Sequence, residues 1–283
     1  MASMRDIKRR RSSIQSTQQI TKAMKLVSTV KLQRAKSNAE KSADYFKEMY
    51  KTVHAMLAKS SNIDHRYLKA NESNKKAIIM ITSNRGLAGG YDGNIVKLVT
   101  RSDLNITDLN VYAVGKKGKD ALSKAGATVV SDECETIEAP TYADAMRISQ
   151  DVLQAFEDGA IGEIYVAYTA FKNTVTHIPT LLKLLPVEAS TEEVVDDNTM
   201  MNFEPEEEEA LDLIIPKYVT SLIYGALVES VASENGARMQ AMDSATSNAE
   251  EMIQKLSLMY NRARQGSITQ ELTEIIAGAE AIS

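Results

Sequence analysis

The sequence predicts an α/β protein with long helices, in which N- and C-terminal helices form an antiparallel coiled coil and an α/β domain lies between them. Three observations carry this. All five prolines, Pro140, Pro179, Pro186, Pro205 and Pro216, fall in the centre of the chain or at its exit, so the first 139 and last 67 residues have none. Proline breaks helices, so both ends are free to run long. Between them, short Ile/Val-rich runs alternate with segments of helical spacing, the pattern of a mostly parallel sheet covered by helices. Aromatic residues make up only 5% with no Trp, against 13 Met and frequent Ala, a balance that favours long helices over a sandwich.

The first element, residues 1–60, is a helix. Ile7, Ile14, Ile20, Met24, Val27 and Val30 mark its apolar stripe, with Ala23 and Ala35 as small members. Residues 4–58 in one helix would extend roughly 80 Å at 1.5 Å per residue. Its charge is one-sided, with ten Lys or Arg and the single acid Asp6 between Met1 and Lys36.

Residues 75–205 form the central domain. "KAIIMITS", "LNVYAVG", "EIYVAYTAF" and "VTHIPTLLKLLPV" read as strands; "GNIVKLVTR", "KKGKDALSKAG" and "TYADAMRISQDVLQAFEDG" read as helices ending on turn residues. That alternation makes the domain Rossmann-like. "SNRGLAGGYD" after the first strand raises the question of a phosphate cradle, since Gly86, Gly89 and Gly90 would let backbone N–H groups converge on an anion. A Walker loop would close on Gly-Lys-Ser/Thr, whereas this one closes on Gly90-Tyr91-Asp92, and Asp92 would repel a phosphate. G-x-G-x-x-G is absent as well. The loop therefore reads as a strand-to-helix turn in which glycines permit positive φ and close packing, with Arg85 free to contact a partner. "GKKGKD" at 115–120 is a second turn of the same kind.

From Glu188 to Asp212 there are eleven acids and no base, the composition of a solvated, self-repelling linker. The last element is a helix over 208–283. A heptad seam runs through Met239, Thr246, Ile253 and Tyr260 at one position and Met242, Ala249, Leu256 and Ala263 at the other. Half of these residues are small or polar, so the partner helix must approach closely. After Ala263 the register changes to Ile268, Leu272, Ile275 and Ile276, a tip with no partner within the pair.

Sites for chemistry are not evident. His54, His65 and His177 share no metal-ligand spacing, no G-x-S-x-G elbow occurs, and nothing sets two carboxylates across a pocket. No cofactor or metal is expected. A single cysteine, Cys134, excludes an internal disulfide and fits a reducing compartment. "MASMRDIKRRR" lacks the apolar core of a signal peptide and no apolar run approaches the roughly 18 residues of a span, so a soluble or membrane-peripheral protein is expected, without insertion. "KRRR" suggests the basic region of a nucleic-acid-binding coiled coil, but the net charge of −5 and the acidic centre oppose that. A nucleotide-dependent enzyme built on the central domain is the other rival.

"ITKAMKLVSTVKLQRAK", "SNRGLAGGYDGNI" and "ASENGARMQAMDSATSNAEEMIQKLSLMYNRARQGSITQELTEIIAGA" resemble, in order and over essentially the whole chain, the γ subunit of F-type ATP synthase. The resemblance implies a non-catalytic central shaft inside a ring of three α and three β subunits, beside ε and the membrane c-ring, at the cytoplasmic face of the cell membrane. It implies that Lys8, Arg9, Arg10, Lys22, Met24 and Lys25 face the acidic lever segment of β. Arg238, Arg264, Gln265, Thr269 and Glu271 match positions that hydrogen-bond the ring or hold the shaft together. Leu272, Ile275 and Ile276 match an apolar tip turning in a greasy sleeve. The paired-cysteine insert of the chloroplast form is missing, so thiol switching is not expected.

Overall fold

A computed structural model describes residues 4–59, 65–187 and 207–280. The chain divides into two compact units, one made of Met1–Ser28 with Met239–Ser283 and the other of Thr29–Arg238. Two helices run through both: α1, Met4–Lys59, and α5, Glu207–Glu280.

In the larger unit, β1 (Lys76–Ile81), α2 (Tyr91–Arg101), β2 (Leu109–Val114), α3 (Lys116–Lys124), β3 (Thr128–Asp132), α4 (Tyr142–Glu157), β4 (Glu163–Phe171) and β5 (His177–Leu185) follow in order. The sheet order is β3-β2-β1-β4-β5, with the first four strands parallel and β5 antiparallel to β4. This is the Rossmann-like domain the sequence predicts, enlarged by one strand. β3 was not among the expected strands because it is a short edge whose residues alternate between exposed and half-buried, leaving no apolar run to read.

β1 is the centre. Ile79 and Ile81 join a core with Ile148 and Val152 of α4 and Val53 of α1 and Val219 of α5. Ile78 and Met80 face the opposite layer, with Ile95 of α2 and Leu122 of α3. A parallel strand covered on both faces reads as a near-continuous apolar run, here Ala77–Ile81. Each fully buried Ile contributes about 1.5–3 kcal/mol of transfer free energy. α4 starts where its sequence dictates: the Asp144 N–H donates to Thr141 Oγ1 and the Thr141 N–H donates to Asp144 Oδ2, a capping box.

α5 begins at Glu207 and carries Pro216 inside it. Two expectations are corrected. Part of the acidic tract, 188–206, lies outside the described residues; its end belongs to α5, where Asp212 pairs with His65 Nε2 at 3.0 Å and Arg66 at 2.9 Å instead of serving as linker. α5 also contains an 18-residue window apolar enough, by length and composition, to cross a membrane; 56% of that window is buried inside the protein.

Candidate functional site

In a doubly wound sheet ligands bind beyond the strand ends where the order reverses, here between β1 and β4. That crevice is occupied by the chain itself. On the β1 lip, Asp92 in the first turn of α2 takes the Ser83 N–H at 2.8 Å on one oxygen and the Ser83 hydroxyl at 2.6 Å on the other. An internal carboxylate thus holds donors that a bound anion would use. The loop departs from its expected glycine use: Gly89 has φ +60°, yet Leu87 also adopts a left-handed φ of +67°, and Gly86 and Gly90 do not. Gly115 meets the expectation fully, with φ +117° and a Cβ position only 2.0 Å from the Thr82 carbonyl oxygen.

On the β4 lip stands α5. Pairing of β1 with β4 ends at Met80 and Ala167, leaving the next β4 residues without a neighbour on that side. Side chains of α5 replace the strand. Ser230 Oγ accepts from the Thr169 N–H at 3.4 Å, Ser233 Oγ donates to the Thr169 carbonyl at 3.0 Å, and Glu229 accepts from the Phe171 N–H at 3.2 Å. Tyr91 crosses from the other lip to donate to the Ser230 carbonyl at 3.2 Å. Burial pushes the Tyr91 hydroxyl and the Glu229 carboxyl above their ordinary values. Arg238 pairs with Glu234 at 2.7 Å and donates to the Arg85 carbonyl at 3.2 Å. The Glu234 carboxyl is raised by burial despite Arg238, so this pair is held in a poorly solvated place.

The smaller unit is an antiparallel helix pair. Arg11 stacks over Tyr260 with 5.6 Å to the ring centre, Thr21 meets Thr246 at 2.8 Å, and Lys25 meets Asp243 at 2.5 Å. As numbers rise on α1 they fall on α5. The α5 seam buries Met242, Ala249 and Leu256 and half-buries Met239, Thr246, Ile253, Tyr260 and Ala263, as its heptads predict. The α1 stripe needs correction: Ile7 and Ile14 are on it, but Ala23 and Ile20, Val27 and Val30 are exposed, the last three at 58%, 57% and 49%. Spacing of seven from Ile7 and Ile14 leads instead to buried Thr21 and Ser28, with half-buried Arg11, Gln18 and Lys25 at the companion position. Ile7, Ile14 and the expected Ala35 keep their place on the buried side, but between them Thr21 and Ser28 are buried while Ile20, Val27 and Val30 are exposed, so hydrophobicity alone selects the wrong face in the middle of the stripe.

Of the residues singled out in the sequence, Lys8, Arg9, Arg10 and Lys22 are exposed, while Met24 is half-buried and Lys25 is engaged with Asp243. Arg9 lies 3.5 Å from Asp6. Arg264, Gln265, Thr269 and Glu271 are exposed, with the Thr269 hydroxyl donating to the Gln265 carbonyl at 2.9 Å. Leu272, Ile275 and Ile276 are 56%, 68% and 60% exposed. Arg85 is exposed but not free, since its guanidinium lies 3.2 Å from Glu138. Arg238 is largely buried. Leu26, at 63% exposed, is an apolar surface residue that the sequence reading did not single out. Among the described residues no group of three His, Cys, Asp or Glu side chains is placed to hold a metal ion.

The model of a family described as ATP synthase matches residues 3–282. The "ATP synthase gamma chain" of Lachnoclostridium phytofermentans is 65% identical over the full length of both chains. The chain belongs to the ATP synthase gamma family. A central stalk/c-ring structure of the Tetrahymena thermophila mitochondrial ATP synthase contains a similar chain, 26% identical, with TM-score 0.59, covering 80% of this chain and 99% of that one. A chain of the Euglena gracilis mitochondrial ATP synthase, in an OSCP/F1/c-ring structure, shares the fold with TM-score 0.67 at 19% identity, covering 99% of this chain and 94% of that one. As a gamma-family member the chain is a subunit of ATP synthase with a central-stalk role.

Proposed function

We propose that this gamma-family chain is the rotor shaft of the complex: a non-catalytic subunit that turns inside a ring of three α and three β subunits and couples ion flow in the membrane sector to ATP synthesis or hydrolysis on β. The carrying observation is the smaller unit's surface, where Leu272, Ile275 and Ile276 are exposed at a helix end while Ile7, Met242, Ala249 and Leu256 are buried in the seam behind them. A bare apolar surface of this kind calls for an enclosing partner.

A single shaft inside a threefold ring presents a different face to each of three equivalent sites. Each face favours a different site conformation, in proportion to its differential affinity for the alternatives. Turning the shaft then drives every site through loose, tight and open states in sequence. Residues 1–60 and 208–283 are the shaft helices in this reading, and 75–205 is the foot, beside ε and the c-ring at the cytoplasmic face of the membrane. Lys8, Arg9, Arg10 and Lys22, with Met24 and Lys25, form the face toward the acidic lever of β. Arg264, Gln265, Thr269 and Glu271 contact the ring, with Arg85 and Arg238 serving contacts nearer the foot. The filled switch-point crevice supports the absence of an active site of its own.

Native mass spectrometry of the complex, purified through a tag on this chain from its own cells, tests the assignment. One copy of the chain with three each of two larger subunits, and ATPase activity absent from the chain alone, is the expected result. A free monomer or homodimer that binds nucleotide overturns it.

A further inference from the structure

We propose that the α5 segment from Glu229 to Arg238 is a torque joint: a hydrogen-bonded key that fixes the angle of the α/β domain about the helix that carries it. The inference rests on the shaft reading above and adds residues to it.

The key is built from backbone groups that the sheet leaves open. Thr169 faces Pro179 on β5, and proline has no N–H to exchange, so the Thr169 N–H and carbonyl point away from β5. Phe171, two residues on, has the same orientation. On that side β1 has already turned away. Ser230 and Ser233 fill the vacancy at Thr169, on its donor and its acceptor side respectively, and Glu229 accepts from the Phe171 N–H. Tyr91, the first residue of α2, and Arg238, through the Arg85 carbonyl, tie the same stretch of helix to the β1 lip. Gly236 brings β5 against the helix, because a Cβ there would lie 2.6 Å from His177 Nε2.

Spacing gives the arrangement its mechanical meaning. Ser230, Ser233 and Glu234, at three- and four-residue intervals, share one face of the helix, with Glu229 and Arg238 at the two margins of that face. Apolar burial is non-directional and lets a helix slip about its own axis. Hydrogen bonds lose strength steeply with misalignment, so a stripe of them reaching β4 and the β1–α2 loop fixes one rotation angle. The crevice that would take a ligand in a doubly wound enzyme here takes the shaft.

The test uses the assembled complex, immobilised through its ring, with a bead on the α/β domain at a Lys124→Cys site in a Cys134→Ser background. ATP-driven rotation is recorded with the joint intact and in a Ser230→Ala/Ser233→Ala variant. Loss of the two hydroxyls is expected to widen the variance of bead angle within each dwell by about twofold or more, with ATPase turnover unchanged, and a Ser230→Thr/Ser233→Thr variant is expected to restore it. An unchanged variance overturns the proposal, as does a widened variance that threonine does not restore, which would trace the effect to packing. Should the alanine pair not assemble, Glu229→Leu, which removes only the acceptor for the Phe171 N–H, is measured with the same two outcomes. Failure of the intact complex to rotate at all would instead sink the shaft reading.

Discussion

Thr21 and Thr246 face each other across the helix pair with their hydroxyls 2.8 Å apart. Each hydroxyl has one proton and an alternative acceptor on its own helix, Gln18 O at 3.0 Å and Met242 O at 2.7 Å, so one donates across the seam while the other donates backward. The contact is polar, close and replaceable. A single Thr21→Val change should destabilise the chain by about 0.5–1.5 kcal/mol, and Thr21→Val with Thr246→Val should cost no more than the single change, since removing both partners leaves no widowed group. Urea unfolding of the full chain with each variant checks this; a double variant at the sum of two singles would show that the hydroxyls do not interact.

Arg238→Ala should be far more damaging. It strips the partner from Glu234, whose side chain is 12% exposed and whose carboxyl burial already pushes upward. Leaving a buried charge unpaired costs about 3–5 kcal/mol. Arg238→Met combined with Glu234→Leu should recover most of that loss. Thermal unfolding of both variants decides the matter, and equal destabilisation by the two would place the effect in packing.

Much of this molecule was legible in its residues and the remainder was hidden for physical reasons. β1 and β4 announced themselves because a doubly covered strand reads as a nearly continuous apolar run, and the α5 seam kept its heptads through Met242, Ala249 and Leu256. The α1 seam was concealed because Thr21, Lys25 and Ser28 are polar, while Val27 and Val30 lie on the surface. The loop at 83–92 could be denied a phosphate from Asp92 alone. That Ser230, Ser233 and Glu229 occupy the β4 side of the crevice could not be read, since three polar side chains on a helix give no sign of the strand edge they complete, far away in sequence.

Gly115→Ala should disable folding of the α/β domain. The residue combines φ +117° with a Cβ position 2.0 Å from the Thr82 carbonyl oxygen, so backbone strain of about 1–3 kcal/mol adds to a clash with main chain that cannot swing aside. Gly126→Ala, at φ +98° in open space, bears the strain without the clash and should lose distinctly less. Soluble yield and unfolding midpoints of the pair provide the comparison; equal losses would remove the clash from the account.

Cys134 should be a poor nucleophile. Burial, followed by the hydrogen bond with Asp132, pushes its thiol up to about 11. A thiol raised by two decades holds about a hundredfold less thiolate at pH 8, and the thiolate is the reactive form. Iodoacetamide labelling should therefore be slow at pH 8 and climb with pH until about 11. A rate profile that levels off near pH 8.5 would contradict the burial seen here.

Replacing Lys8, Arg9 and Arg10 together by alanine should weaken coupling more than assembly. All three are exposed on α1, and long-range charge attraction to an acidic lever needs no fixed geometry, so the ring should still close around the shaft. Proton-driven ATP synthesis in membrane vesicles should fall severalfold while ATP hydrolysis by the purified complex changes little. Full synthesis in this variant would count against an electrostatic role for these residues.

The central claim is that this chain turns. The most direct measurement attaches a bead to it in a ring-immobilised complex and supplies ATP. Rotation in one direction, with dwells spaced by about 120° as three equivalent sites around one shaft require, is the predicted result. ATP consumed by the same complexes while the bead holds a fixed angle would contradict it.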